Sequence, residues 1–181
     1  RGYQLVGQLD TSGSVQPELT RNEYLRLLSA AKKLNKERAY LLIKVFVWIG
    51  PTVLELPKLT VEAVQAGQVL LRVNGKRQFV RIPSYLQREL LHYIQREGVR
   101  SGPVFRTRTG KELNRTAVTA AIQSLSRDSC VPPEKCNPRC LRKLHQATVA
   151  SLEKSARLLM EQTHERMLEQ EQLTVGWESE E

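Results

Sequence analysis

Apolar positions recur at helical intervals along most of the chain. Thr20 can cap a first helix, with Glu23 three positions on completing a capping box, and Tyr24, Leu27, Leu28 and Ala31 forming its inner face. A second helix beginning at Asn35 carries Tyr40, Leu41, Ile43, Val45, Phe46, Val47 and Trp48, apolar nearly all round, which is the pattern of a helix in the middle of a core. Gly50-Pro51 ends it. Val53–Leu56 reads as a short helix stopping near Pro57, and Val61–Val64 as an initial strand or turn. The period then changes. Gln68–Val73 and Gln78–Ile82 are runs of β-formers on either side of Asn74-Gly75, a strong hairpin signal. Beyond Pro83, Leu86–Glu97 is an amphipathic helix with Leu86, Leu90, Leu91 and Ile94 inward. Val104–Phe105 reads as a short strand, Arg106–Lys111 as a basic turn, and Asn114 as the cap of a helix running to Ser126. After the loop Val131–Pro138, one helix is expected over Arg139–Ala150 and a last one over Ser155–Gln172. The expected fold class is α+β, predominantly α-helical, with a small antiparallel sheet of about three strands. The expected organisation is a linker or tail over 1–18, one domain over 19–173, and an acidic tail over 174–181 whose Val175 and Trp177 are apolar enough to dock.

Charge narrows the partner. The 181 residues include 28 Lys+Arg against 19 Asp+Glu, a net charge of +9, which favours a polyanion: nucleic acid before an anionic membrane. A solvated surface of mixed sign is the bland alternative. Aromatic residues make up only 6%, too few for a base-stacking sheet, so contact with duplex phosphates fits better. No apolar run approaches the roughly 20 residues that span a bilayer, and the longest candidate, Ala39–Ile49, contains Lys44. No secretory leader pattern opens the chain. Three cysteines argue against a secreted disulfide framework and for a reducing, cytoplasmic location.

The densest chemistry lies in Asn137–Thr148, NPRCLRKLHQAT. Arg139 and Arg142 stand one helical turn apart after a Pro-rich loop, so two guanidiniums share a helix face and can bracket one phosphate. The alternative for Arg142 is a salt bridge to Glu55 or Glu134. Cys130, Cys136, Cys140 and His145 form C-x5-C-x3-C-x4-H, which matches no familiar zinc pattern. They are read as three reduced, half-buried thiols beside a histidine, with no metal and no cofactor.

The order of segments resembles the catalytic domain of the tyrosine recombinases, the phage-integrase family, over almost the whole chain from Leu19. Leu19–Tyr24 with Leu27-Leu28 is similar to that family's opening helix, and Gly50–Leu56 to its TGLRxSEL box. The turn around Asn74-Gly75-Lys76 is similar to the hairpin that carries a lysine, Phe105–Leu113 to the LF…G segment, and Leu141-Arg142 with Ala147-Thr148 to HxLRHTFAT. The resemblance implies transfer of a DNA phosphate to a tyrosine, with two arginines and a histidine or lysine stabilising the transition state and a hairpin lysine protonating the leaving oxygen.

Carried over position by position, the family's first arginine falls on Thr52, and its histidine or lysine falls on Arg139. Its second arginine is retained as Arg142, its lysine falls near Lys76, and its third conserved position falls near His164. The nucleophile would fall near Leu173–Thr174, but no tyrosine follows Tyr93. Arg142, Arg139, Lys76 and His164 are therefore the candidate catalytic positions, in degenerate form. Arg142, Arg139, Lys76, Arg77, Arg106, Arg108, Lys111, Arg115 and His145 are the candidate DNA contacts, and His92 is read as structural.

The function this implies is DNA binding linked to integration and recombination on a mobile element, without strand cleavage by the chain itself. Double-stranded DNA is the expected partner, with a homo-oligomer or other recombinase subunits assembled on it. An active, divergent recombinase whose nucleophile comes from elsewhere is one alternative. A protein-assembly module without DNA binding, working through Ser155–Gln172 and the Val175–Trp177 tail, is the other.

Overall fold

The computed structural model describes residues 18–177; the N-terminal tail over 1–17 and the last residues of the acidic tail, 178–181, lie outside them. The described residues fall into two compact units that meet in sequence between His145 and Gln146.

The first unit opens with α1, Arg21–Lys33. Its start is set as expected: the Thr20 side chain accepts from the Glu23 amide at 3.1 Å, and Glu23 Oε1 accepts from the Thr20 amide at 2.9 Å. Helix α2, Glu37–Trp48, is almost wholly buried, with Leu42, Ile43, Val45, Phe46 and Val47 at 0% exposure. Lys44, the one charge in its middle, is half-buried. It is held by an ion pair with Glu89 and stacks on the ring of Tyr40. After Gly50-Pro51, a 3₁₀ turn over Leu56–Lys58 leads into α3, Val61–Ala66.

The strand or turn expected at Val61–Val64 is thus a helix. Its β-branched valines suggested extension, but Thr60 caps the Ala63 amide and Gly67 closes the other end at φ +78°. Strands β1, Gln68–Val73, and β2, Lys76–Arg81, pair antiparallel with Val73 opposite Lys76 and Gln68 opposite Arg81. The turn between them places Asn74 at φ 52° and Gly75 at φ 79°, the signature of a type I′ hairpin.

Helix α4 spans Ser84–Glu97, α5 Arg115–Gln123 and α6 Ser126–Ser129. The helix expected from Asn114 to Ser126 therefore ends early and is followed by a separate short turn of helix. Arg26 ties that turn to α1 by donating to the carbonyls of Ser129 and Cys130. The expected third strand does not form among the described residues. Val104 and Phe105 are buried, but their flanks make only isolated bridges, Thr60 with Pro103 and Arg106 with Glu112. Two residues of extended chain are too few to build a ladder.

Helix α7 runs without a break over Pro138–Val175, 38 residues. The two helices expected at Arg139–Ala150 and Ser155–Gln172 are one, and Thr174 and Val175 belong to it rather than to a tail. Neither glycine nor proline occurs between Pro138 and Gly176, so nothing in the chain chemistry interrupts it. In the second unit nearly every helical residue is exposed, including Leu152, Leu159, Met160 and Met167. No helix among the described residues is long and apolar enough to cross a membrane.

Candidate functional site

The site begins where α2 stops. The backbone turns at Gly50, φ +79°, and the start of α7 packs against that turn. Asn137 caps α7 by accepting from the Cys140 amide at 2.9 Å, and Pro138 occupies the first helical position, where its missing N–H costs nothing. This fixes the direction in which Arg139, Arg142 and His145 leave the helix. Arg142 Nε donates to the Gly50 carbonyl at 3.4 Å, a long bond to the negative end of α2. Its terminal nitrogens make no ion pair among the described residues, so neither Glu55 nor Glu134 neutralises it. Arg139 is exposed.

His145 lies on the same turn. Its Nδ1 donates to the Val47 carbonyl at 2.8 Å, and its ring covers the face of Gly50. Burial pushes the imidazole pKa down; the bond to Val47 opposes that, and the Arg142 charge adds to it, leaving the group below its usual range. With Nδ1 committed to the backbone, His145 holds the turn in place and is not a free donor on the surface.

Thr52 and Glu55 form a closed pair next to it. The Thr52 amide donates to Glu55 Oε1 at 3.0 Å, the Glu55 amide donates to the Thr52 hydroxyl at 3.1 Å, and the Arg72 amide of β1 donates to Glu55 Oε2 at 2.8 Å. Burial raises the carboxyl pKa, but the Arg72 and Thr52 amides outweigh it, so the group stays ionised below its ordinary range. Glu55 thereby fastens the hairpin to the segment after Gly50. Thr52, Glu55, Lys58, Arg72 and Arg77 line one open depression of about 520 Å³ there.

Strand alternation separates Lys76 and Arg77, both candidate DNA contacts. Lys76 lies opposite Val73 on one face of the hairpin, while Arg77 lies opposite Arg72 on the other. The basic turn lies elsewhere in the first unit, where Arg106 and Arg108 line a second depression with Lys36 and Arg38. Arg106 is spent internally: Nε donates to the Pro103 carbonyl at 2.7 Å and Nη2 to that of Ser101. Arg108, Lys111 and Arg115 are exposed, and Arg38 donates to the Arg106 carbonyl at 3.2 Å.

His164 is exposed on α7 in the second unit, and His92, read as structural, is exposed on α4. The thiols are not half-buried as a set. Cys136 and Cys140 are at 0% exposure with backbone carbonyls as partners, and Cys130 is exposed. Sequence reasoning passed over Arg38, Arg72 and Phe79. The alternation of β2 was the available signal for Phe79, but which face is outward depends on the pairing register.

No family model matches the chain, and no curated protein matches it. Solved structures do. The crystal structure of XerA recombinase superposes with a TM-score of 0.63 at 21% identity, covering 76% of this chain and 50% of that one. XerH site-specific recombinase, in a pre-cleavage complex with its difH substrate, superposes with a TM-score of 0.61 at 18% identity, covering 75% of this chain and 43% of that one. The chain thus spans half or less of the length of these two structures. The predominantly helical architecture, the small antiparallel sheet and these superpositions together give the chain a tyrosine-recombinase fold of the catalytic-domain type.

Proposed function

We propose that the chain binds duplex DNA through the surface around Arg142 and does not cleave it unaided. The observation that carries this reading is the state of Arg142. Its guanidinium is anchored by one long bond at the end of α2, and no carboxylate among the described residues neutralises it. Beside the half-buried Arg142, Arg139 one turn earlier on α7 adds an exposed charge, and Lys76 adds another from the hairpin. Arg108, Lys111 and Arg115 add exposed charges on the basic turn and at the start of α5, elsewhere in the first unit, whereas Arg106 and His145 shape the backbone. XerH, with the same fold, was crystallised with a DNA substrate, which supports a nucleic-acid partner for this chain.

The loss of cleavage rests on two positions. Thr52 stands where the resemblance calls for an arginine, and Glu55 is satisfied by amides instead of a guanidinium. Removing one charge-stabilising donor typically costs about 10²–10³ in rate. No tyrosine follows Tyr93 to act as nucleophile within this chain.

Duplex affinity should fall steeply with salt, with a log–log slope of about −0.9 per phosphate contacted, and Arg142→Ala should weaken binding and flatten that slope by about one contact. Binding that ignores salt would sink the proposal. A suicide substrate that traps covalent protein–DNA would show instead an active recombinase.

A second role has its own support. Val149, Leu152, Ala156, Leu159 and Met160 recur at helical spacing on α7, and Leu152, Leu159 and Met160 are each more than half exposed. We read this stripe as a surface for assembly with other protein subunits. Leu152→Glu with Leu159→Glu should shift the size-exclusion profile toward monomer if it is one.

A further inference from the structure

The outer face of the hairpin joins features that the Arg142 surface does not use. Register puts Arg72 directly opposite Arg77, Leu70 opposite Phe79, and Gln68 opposite Arg81, all on one face. Phe79 is 63% exposed. Arg72, Arg77 and Arg81 are exposed, and none has an ion-pair partner among the described residues.

A lone exposed apolar side chain needs no explanation. Charges on an edge strand also discourage unwanted strand pairing. Neither purpose requires two arginines directly across from each other, an arrangement that destabilises a hairpin. Arg72 and Arg77 also reach the rim of the 520 Å³ depression, whose lining includes Lys58, the Glu55 carboxylate and Leu54, which is 86% exposed.

We propose that this face binds unstacked nucleotides of single-stranded DNA, with a base stacked on Phe79 and the phosphates on either side held by Arg77 and Arg81. Successive side chains on one face of a strand repeat about every 7 Å, so the Arg–Phe–Arg row of β2 sets cation, ring and cation in a line that an extended nucleotide strand can follow. The aromatic face accepts any base, so the surface is indifferent to sequence. The proposal rests on reading the chain as a DNA binder, but not on the Arg142 surface.

The test is fluorescence anisotropy of a labelled oligothymidylate and of a labelled duplex against the full chain, Phe79→Ala, Phe79→Tyr and Arg142→Ala. Phe79→Ala is expected to weaken oligothymidylate binding roughly 5- to 150-fold and to leave duplex affinity unchanged, while Phe79→Tyr retains both. Arg142→Ala is expected to do the reverse. Circular dichroism checks that each variant keeps its helices. Oligothymidylate binding that is insensitive to Phe79→Ala overturns the proposal, as does duplex binding without single-strand binding, and both leave the duplex reading standing. Failure to bind either nucleic acid overturns both. A Phe79→Ala variant that loses only self-association assigns the face to protein contact and overturns it too.

Discussion

The ring of His145 occupies the place where Gly50 would carry a side chain. A Cβ built on Gly50 would stand 2.3 Å from His145 Cδ2, and the ring is held there by the 2.8 Å bond from Nδ1 to the Val47 carbonyl. Gly50 also sits at φ +79°, which disfavours any residue with a Cβ. Gly50→Ala is therefore expected to destabilise the fold by about 3 kcal/mol, combining the steric clash with the left-handed backbone. Adding His145→Ala should recover the clash but not the backbone strain. A double-mutant cycle in urea measures the coupling, and strict additivity would show that the ring has room to move aside.

The same histidine makes stability depend on pH. Its folded pKa is lowered by burial and by Arg142, against the opposing Val47 bond. Between the folded pKa and the unfolded value of about 6.5, the unfolded chain binds more protons, so stability rises with pH through that window. The contribution is complete above about pH 6.5 and is lost as pH falls through the folded value. His145→Gln should flatten the dependence of Tm on pH there; an unchanged profile would place the titration on another group.

Glu23 does two jobs at the start of α1. It completes the capping box with Thr20, and both its oxygens take a bond from Lys135 at 3.0 Å. The Thr20 amide, then Lys135 and the Thr20 hydroxyl, overcome burial and hold its pKa low. Glu23→Ala is expected to cost about 2–3 kcal/mol, the loss of a cap together with the stranding of Lys135. In the parent chain this contribution is present above about pH 4.5 and lost as pH falls through the lowered folded value. Paired urea titrations at neutral pH and near pH 3 check both statements.

Cys130 closes α6 in the left-handed region, at φ 57°, with its thiol exposed. Cys130→Gly should stabilise the chain by about 1 kcal/mol by relieving that conformation. Burial raises the thiol pKa of both Cys136 and Cys140. One thiol is thus expected to react with iodoacetamide in the native chain, and two more only on unfolding. Rapid labelling of all three would mean that the α7 start opens readily.

Local chemistry made much of this fold legible. The Thr20–Glu23 box, the Gly50 break and the Asn74-Gly75 turn each specify backbone geometry within a few residues. Helix α3 was readable in the same way, from Thr60 and Gly67, but the valines between them outweighed the caps. The continuous α7 was readable from its lack of glycine and proline. The site was less so. That Arg142 meets Gly50 depends on a contact across 92 residues, that Arg72 closes on Glu55 depends on one across 17, and that Arg72 faces Arg77 needs the hairpin register, which the turn alone does not display. Spacing alone groups Lys76 with Arg77, and the pleat of β2 separates them.

Glu55 also shows how the turn after Gly50 is held without a cation. Its carboxylate is satisfied by the amides of Thr52 and Arg72, groups that every residue at those positions supplies except proline. Only the Thr52 hydroxyl, which accepts from the Glu55 amide, is particular to the side chain at position 52, and the carboxylate is satisfied without a guanidinium. The hairpin therefore stays fastened to this segment by main-chain donors, and its anchorage does not depend on a basic side chain beside the carboxylate.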